Sequence, residues 1–351
     1  MSSNSAINKV FTGKRVIIPI LFGLLIAVYF AWDDFNWEEL KSIPWRKGAG
    51  FWILASLGMM VLRDLGYILR LRILSEKRLS VRQCLEISLL WEFASAVSPS
   101  AIGGTAVAVV IMAQENLQTG LTTAIVLLTA FLDELFYIIM VPLTVIFVGW
   151  DLLFPVLSNE GFEGFLNPNS LRWFFWTGYV VIFVWTIFLG ICILYRPSIA
   201  RGILLLIYRL PFLRKRKEKG MVLADDLLKA SNEFRAKNIG FWLRAFGATF
   251  LSWSARFLML NCLMMAFAGF DNHFLVYARQ LVMWVILMVS ITPGGSGIAE
   301  GIFPFFMRDF LPGKQISRLV AIVWRILSYY PYLFIGMVLL PIWLKRVRKF
   351  E

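Results

Sequence analysis

The chain has 351 residues, of which 59% are hydrophobic and 16% charged, with a formal net charge of +13. A water-soluble domain cannot bury that much apolar side chain, because surface grows too fast relative to volume, so a soluble globular enzyme is excluded. His273 is the only histidine, and Cys84, Cys192 and Cys262 lack CxxC spacing, which leaves no parts for a histidine-based triad, a metal cage or a disulfide framework. No GxxxxGK[ST] loop supplies ATP hydrolysis, and no cofactor is expected.

Long apolar runs predict six spanning helices, at about 16–32, 49–69, 119–149, 172–195, 240–268 and 316–344. The first follows Lys9, Lys14 and Arg15 and ends in Trp32-Asp33-Asp34. Without a small-residue cleavage site it reads as an uncleaved span rather than a signal peptide. Two further apolar stretches, 83–112 and 275–311, are broken midway by Ser98-Pro99-Ser100-Ala101-Ile102-Gly103-Gly104 and by Thr292-Pro293-Gly294-Gly295-Ser296-Gly297. Proline removes a backbone donor and glycine favours non-helical turns. Unwound backbone at membrane depth survives only inside protein or beside a watery cavity, so both stretches read as re-entrant helical hairpins.

Charge counting supports that reading. With both hairpins re-entrant, 23 of the 35 Lys and Arg fall on the side of the two termini. The positive-inside rule makes that side cytoplasmic, in a bacterial inner membrane. The basic residues cluster beside apolar runs, as topology and anionic headgroups require, and nucleic acid is not an expected partner. Between the halves, Arg214-Lys215-Arg216-Lys217-Glu218-Lys219 is a basic run, the signature of a cytoplasmic tether. After it, Leu223, Leu227, Ser231 and Phe234 share one helical face, which predicts an interfacial amphipathic helix within a linker over 196–239.

The chain also repeats. Pro99 and Pro293 are 194 residues apart, Arg63 and Arg256 are 193 apart, and Arg82-Gln83 and Arg279-Gln280 are 197 apart. Units over 49–195 and 240–344 each read as a span with an arginine, a broken hairpin, and a long span carrying charge. They enter the membrane from opposite sides, an inverted repeat of the kind transporters build around a midplane site. The fold class expected is an all-α polytopic membrane protein with six spans and two re-entrant hairpins.

A charge at the centre of a span costs about 2.5–3.5 kcal/mol on insertion scales, so each needs a partner or a purpose. Arg63, Asp64, Glu92, Asp133, Glu134, Arg256, Glu300 and Arg325 all lie in apolar segments. Each alone reads equally well as a structural ion pair, but so many in one bundle predict a polar cavity. The hairpins' descending limbs, expected to begin near Thr105 and Ile298, aim free N–H groups at the same region. Arg256 or Arg325 would seat a phosphate there, and Asp133, Glu134 or Glu300 a substrate cation. The expected binding residues are Arg63, Glu92, Pro99, Gly103, Gly104, Thr105, Asp133, Glu134, Arg256, Pro293, Gly294, Gly295, Gly297, Glu300 and Arg325. Gly297 and Gly301 form a GxxxG spacing expected to pack helices within the chain.

The stretch Thr292-Pro293-Gly294-Gly295-Ser296-Gly297-Ile298-Ala299-Glu300 resembles the PGG-hydrophobic-G-x-x-E signature of the lysylphosphatidylglycerol synthase transmembrane region family. The Pro-Ser-x-x-Gly-Gly stretch at 99–104, after the arginine-rich end of the second span, resembles its first motif, and the likeness covers about 17–345. The resemblance implies translocation of phospholipids or lipid-linked headgroups between leaflets. The soluble aminoacyl-transferase domain of the family's bifunctional members finds no room after the last span. Thr105, Ala106 and Val107 stand where many members carry charge, and Ala299 where a basic or polar residue precedes the glutamate, so the cargo need not be the lysyl lipid. The implied partners are anionic or aminoacylated phospholipids, with a separate lipid-synthesising enzyme possible. A polyprenyl-phosphate carrier as cargo, a membrane-embedded lipid-modifying enzyme and a non-transporting scaffold are the alternatives.

Overall fold

The computed structural model describes residues 46–98, 101–154, 168–210, 217–288 and 298–348, and among these the regular structure is entirely helical. In chain order the helices are α1 (Ala49–Leu74), α2 (Val81–Val97), α3 (Ala101–Ala113), α4 (Thr119–Val148), α5 (Pro168–Gly190), α6 (Pro197–Ile207), α7 (Lys217–Arg235), α8 (Ile239–Phe267), α9 (His273–Met288), α10 (Ile298–Met307), α11 (Gly313–Ser328) and α12 (Tyr330–Arg348). A single helical turn, Trp150–Leu153, follows α4, and a π-helical turn, Ile191–Tyr195, continues α5.

Five segments are long and apolar enough to cross a membrane: Ala49–Leu74, Thr119–Val148, Ser170–Tyr195, Ile239–Phe267 and Ile316–Val347. They coincide with five of the six expected spans; the expected span at 16–32 lies outside the described residues. The protein is an all-α polytopic membrane protein. Its outward faces carry side chains such as Leu54, Ile146, Phe147, Val184 and Val338, all more than half exposed. Water would not tolerate so continuous an apolar surface, and lipid covers it without cost. The last of these segments is interrupted at Tyr329, between α11 and α12. Pro331 has no N–H to give to Leu327, so the helix cannot run straight through.

Local sequence explains the other boundaries. Ser80 and Gln83 form a reciprocal capping box at the start of α2, with Ser80 Oγ accepting from Gln83 N at 3.2 Å and Gln83 Oε1 from Ser80 N at 2.8 Å. Asn238 Oδ1 caps α8 by accepting from Phe241 N at 2.9 Å. α2 ends at Val97 with Ser98 extended, at the start of the first expected break, while 99–100 and the whole of the second expected break, within 289–297, lie outside the described residues. The limb after the first break begins at Ala101, one turn earlier than Thr105. The limb after the second expected break is helical from Ile298, the first residue described beyond it.

At the centre α1 lies against α8 along much of its length. Gly66 makes this possible: a methyl group there would sit 2.7 Å from Ser252 Cβ and 2.9 Å from Ala248 O. Gly66→Ala therefore destabilises the protein by about 1–3 kcal/mol through overpacking. Thermal unfolding in detergent checks this, and Ser252→Gly in the same chain restores part of the loss.

The other elements are arranged around this pair in corresponding ways. The α2–α3 limbs pack on each other, α3 continues onto α4, and α2 lies against α12; likewise α9 packs on α10, α10 on α11, and α9 lies against α4. One apolar core gathers Ile68, Leu71 and Leu74 of α1 with α2, α3, α7 and the first half of α4. A second gathers α9, α10, α11, the far half of α8 and the far half of α4. Asp133 and Glu134 fall where α4 passes from one core to the other.

Two placements differ from the sequence reading. The buried face of α7 (Gly220, Ala224, Leu227, Ala230, Ser231, Phe234) packs on α4 and α6, rather than on a lipid surface, and Leu223 is only half-buried. A side chain on Gly120 of α4 would come within 2.6 Å of Leu227 N, so α7 is seated directly on α4. Arg279, which the charge count places among the basic residues of the exterior loops, lies inside α9, 3% exposed. It donates to Leu152 O at 2.9 Å and Phe306 O at 3.1 Å, and pairs with Asp309 at 2.7 Å. A guanidinium has enough donors to satisfy two carbonyls and a carboxylate together, which makes this burial tolerable.

Candidate functional site

A cavity of about 380 Å³ lies beside the central pair. At roughly 30 Å³ per water it has room for about a dozen waters, or for one polar headgroup without its acyl chains. Every limb of both hairpins reaches it, as do α1, α4, α8, α11 and α12.

Two arginine networks form its charged wall. In the first, Glu92 of α2 lies 3.3 Å from Arg256 of α8 and 3.5 Å from Arg63 of α1. Arg63 is fully buried, lies 3.0 Å from Asp64, and stacks on the Tyr332 ring at 4.4 Å. Tyr332 donates its hydroxyl to Asp64 at 2.9 Å. Arg256 also donates to Tyr67 Oη at 3.1 Å and lies over Trp253 and Trp284, at 5.0 and 5.1 Å from their centroids. In the second network, Arg70 of α1 pairs with Asp133 of α4. It also donates to Thr249 Oγ1 at 3.3 Å, while Trp253 Nε1 donates to the same carboxylate at 2.8 Å. Tyr67 joins the networks, with Arg63 and Arg70 both about 5 Å from its ring centroid.

Pairing offsets the cost of charge in the membrane only where donors are used. Four nitrogens of these networks are not: Arg63 Nη1 and Nη2, behind the wall, and the Nε atoms of Arg70 and Arg256, both on cavity-lining residues, are buried without a hydrogen-bond partner. Each such donor costs about 1–3 kcal/mol until an acceptor reaches it.

Of the residues singled out from sequence, Glu92, Thr105, Asp133, Arg256 and Arg325 line this one cavity. Arg325 lies over the Tyr329 ring at 4.3 Å. Arg63 stands behind the wall as the buried partner of Glu92. Gly104 is a packing position: a side chain there would come within 2.7 Å of Ser95 Cα, so it lets α3 close on α2. Of Gly103 and Glu300 only the helical backbone, in α3 and α10, is described. Pro99, Pro293, Gly294, Gly295 and Gly297 lie outside the described residues. Glu134 does not join the cavity; it turns to α5, where Thr186 Oγ1 lies 3.2 Å away. Adjacent residues on a helix point about 100° apart, so Asp133 and Glu134 cannot share a face.

Sequence reasoning missed Arg70, which falls just past the end of the expected span at 49–69. The helix continues to Leu74 and buries Arg70 to 4% exposure. The spacing Arg63, Tyr67, Arg70 is i, i+4, i+7, the signature of one helix face, and would have found it. The aromatic lining, Trp253, Trp284 and Trp324 with Tyr67, Tyr329 and Tyr332, was also missed.

The description "Lysylphosphatidylglycerol synthase TM region" matches residues 16–336. The chain belongs to this family. The chain is also similar, at 26% identity over 342 residues, to a "UPF0104 membrane protein" of Archaeoglobus fulgidus, an alignment covering 91% of this chain and 94% of the relative. No solved structure matches. The family match takes in both hairpins, the central pair and every described residue of the cavity wall.

Proposed function

We propose that the protein is a lipid translocase, which passes the headgroup of an anionic phospholipid between leaflets through the cavity while the acyl chains stay in lipid. The observation that carries this reading is the pair of cavity-lining arginines, Arg70 and Arg256, with buried Nε donors that lack acceptors. A phosphate offers acceptors in the geometry a guanidinium matches. Thr105 and Ala299, near the starts of α3 and α10, line the same space, so two helix N-termini add their positive ends. The carboxylates that line the cavity, Glu92 and Asp133, are held by arginines, which suits a polar passage better than acid–base chemistry.

The corresponding surroundings of the two hairpins support an inverted repeat over 49–195 and 240–344, each hairpin re-entrant and leaning on the long span of the other unit. Both termini are then cytoplasmic.

Ala130→Trp tests the reading. Ala130 lines the cavity from α4, and an indole there occupies the space a headgroup needs. Native mass spectrometry of wild type extracted from membranes containing phosphatidylglycerol should retain a bound anionic lipid, and the folded variant should lose it. Equal retention by both would place the lipid elsewhere and end the cavity account.

A further inference from the structure

Glu134 stands apart from the site just described. It is near the middle of the 30-residue helix α4, in the seam with α5, and among the described residues no lysine, arginine or histidine pairs with it. Asp64, Glu92 and Asp133, the other described carboxylates deep in the bundle, each have an arginine. Among the described residues its polar contact is with Thr186 Oγ1, at 3.2 Å, and Thr186 is 4% exposed.

That hydroxyl has one proton and two neighbours. It lies 2.8 Å from Ile182 O of its own helix, a carbonyl that can only accept. With the Thr186 proton given to Ile182, the contact to Glu134 closes only if the carboxyl is the donor. A protonated acid also avoids an unpaired charge at membrane depth, which would cost several kcal/mol.

The charged groups with described partners on the elements packed on α4 are turned elsewhere. From α1, Arg70 is held by Asp133 and Arg63 by Asp64 and Glu92. From α8, Arg256 goes to Glu92 and Tyr67, and Arg244 to Gly240 O. From α9, Arg279 is bound to Asp309. On α7, Asp225 pairs with Arg201, and that helix meets α4 at Gly120, about 20 Å along the axis from Glu134. Beyond α4, Asp151 pairs with Arg172 of α5 at 4.0 Å. α3 contains no titratable side chain, and the nearby turn of α5 offers Cys192 and Tyr195. That turn is π-helical, a local widening often found at functional sites.

We propose that Glu134 is a proton-binding site, loaded as the acid in this conformation and emptied to the aqueous phase in the other, which couples lipid transfer to a proton gradient. The step is a single protonation: the carboxyl O–H breaks, the proton passes to water, and the carboxylate is reprotonated from the opposite side. This rests on the translocase reading, and adjacent Asp133 in the cavity wall is the link between the two.

The test uses the full chain in lipid. Infrared spectra recorded across pH should show a carboxylic-acid carbonyl band that disappears in Glu134→Gln and shifts in Thr186→Val, both variants folded by thermal unfolding. In proteoliposomes, an imposed pH gradient should accelerate wild-type lipid exchange several-fold and leave Glu134→Gln unaffected. An acid band unchanged by Glu134→Gln, or equal acceleration of both proteins, overturns the proposal. If wild type exchanges no lipid at all, the translocase reading falls, coupling falls with it, and the infrared comparison decides the proton site alone.

Discussion

Replacing Glu92 with alanine lowers the unfolding temperature by roughly 5–10 °C, at about 2 °C per kcal/mol for a chain of this size. The expectation follows from the position of this carboxylate between Arg256 at 3.3 Å and Arg63 at 3.5 Å. Breaking a buried pair by removing one partner costs about 3–5 kcal/mol, because the charge left behind has neither water nor a counter-ion. Arg63 retains Asp64 and Arg256 retains the Tyr67 hydroxyl, which keeps the effect within this range. Glu92→Gln preserves an acceptor and loses less. Scanning fluorimetry of the purified chain in detergent checks both, and a shift within about 1 °C for alanine would show that the arginines are sustained by other groups.

Arg256→Lys separates charge from geometry. The lysine keeps its positive charge but cannot span Glu92 and Tyr67 with a planar fork, and it stacks poorly between Trp253 and Trp284. It also removes the Nε donor assigned to the lipid phosphate. A lost charge-assisted hydrogen bond is worth about 1.5–3 kcal/mol, or roughly ten- to a hundred-fold in the rate of a step that depends on it. Lipid exchange should therefore fall by that factor while the unfolding temperature changes by only a few degrees. Exchange at the wild-type rate would mean that Arg256 supplies field alone, and that the fork has no part in recognition.

Much of the architecture was legible in advance, for reasons the residues make plain. Spans are set by bilayer thickness, so the apolar runs at 119–149 and 240–268 needed only length and composition to be placed. The end of α2 at Val97 was legible because helix-breaking chemistry inside an apolar stretch, here Ser98-Pro99, is rare. Side-chain direction was harder. Asp133 and Glu134 are equivalent neighbours in sequence, and only the positions of Arg70 and Thr186 decide which faces the cavity. Arg70 was hidden because charge at the end of an apolar run is the normal mark of a helix leaving the membrane. Here the partner that keeps it inside, Asp133, is distant in sequence. The face of α7 posed a similar problem: an apolar stripe is the same whether lipid or protein covers it, and the close approach at Gly120 settles the matter.

The central claim is that a lipid headgroup crosses through the arginine-lined cavity. Leaflet exchange of fluorescent phosphatidylglycerol in proteoliposomes tests it most directly, with Arg256→Lys and empty vesicles measured alongside. Rapid exchange by wild type that slows at least about ten-fold in Arg256→Lys is the predicted result, following from the lost fork. Folded wild-type protein that leaves the lipid in its original leaflet, as empty vesicles do, would contradict the account.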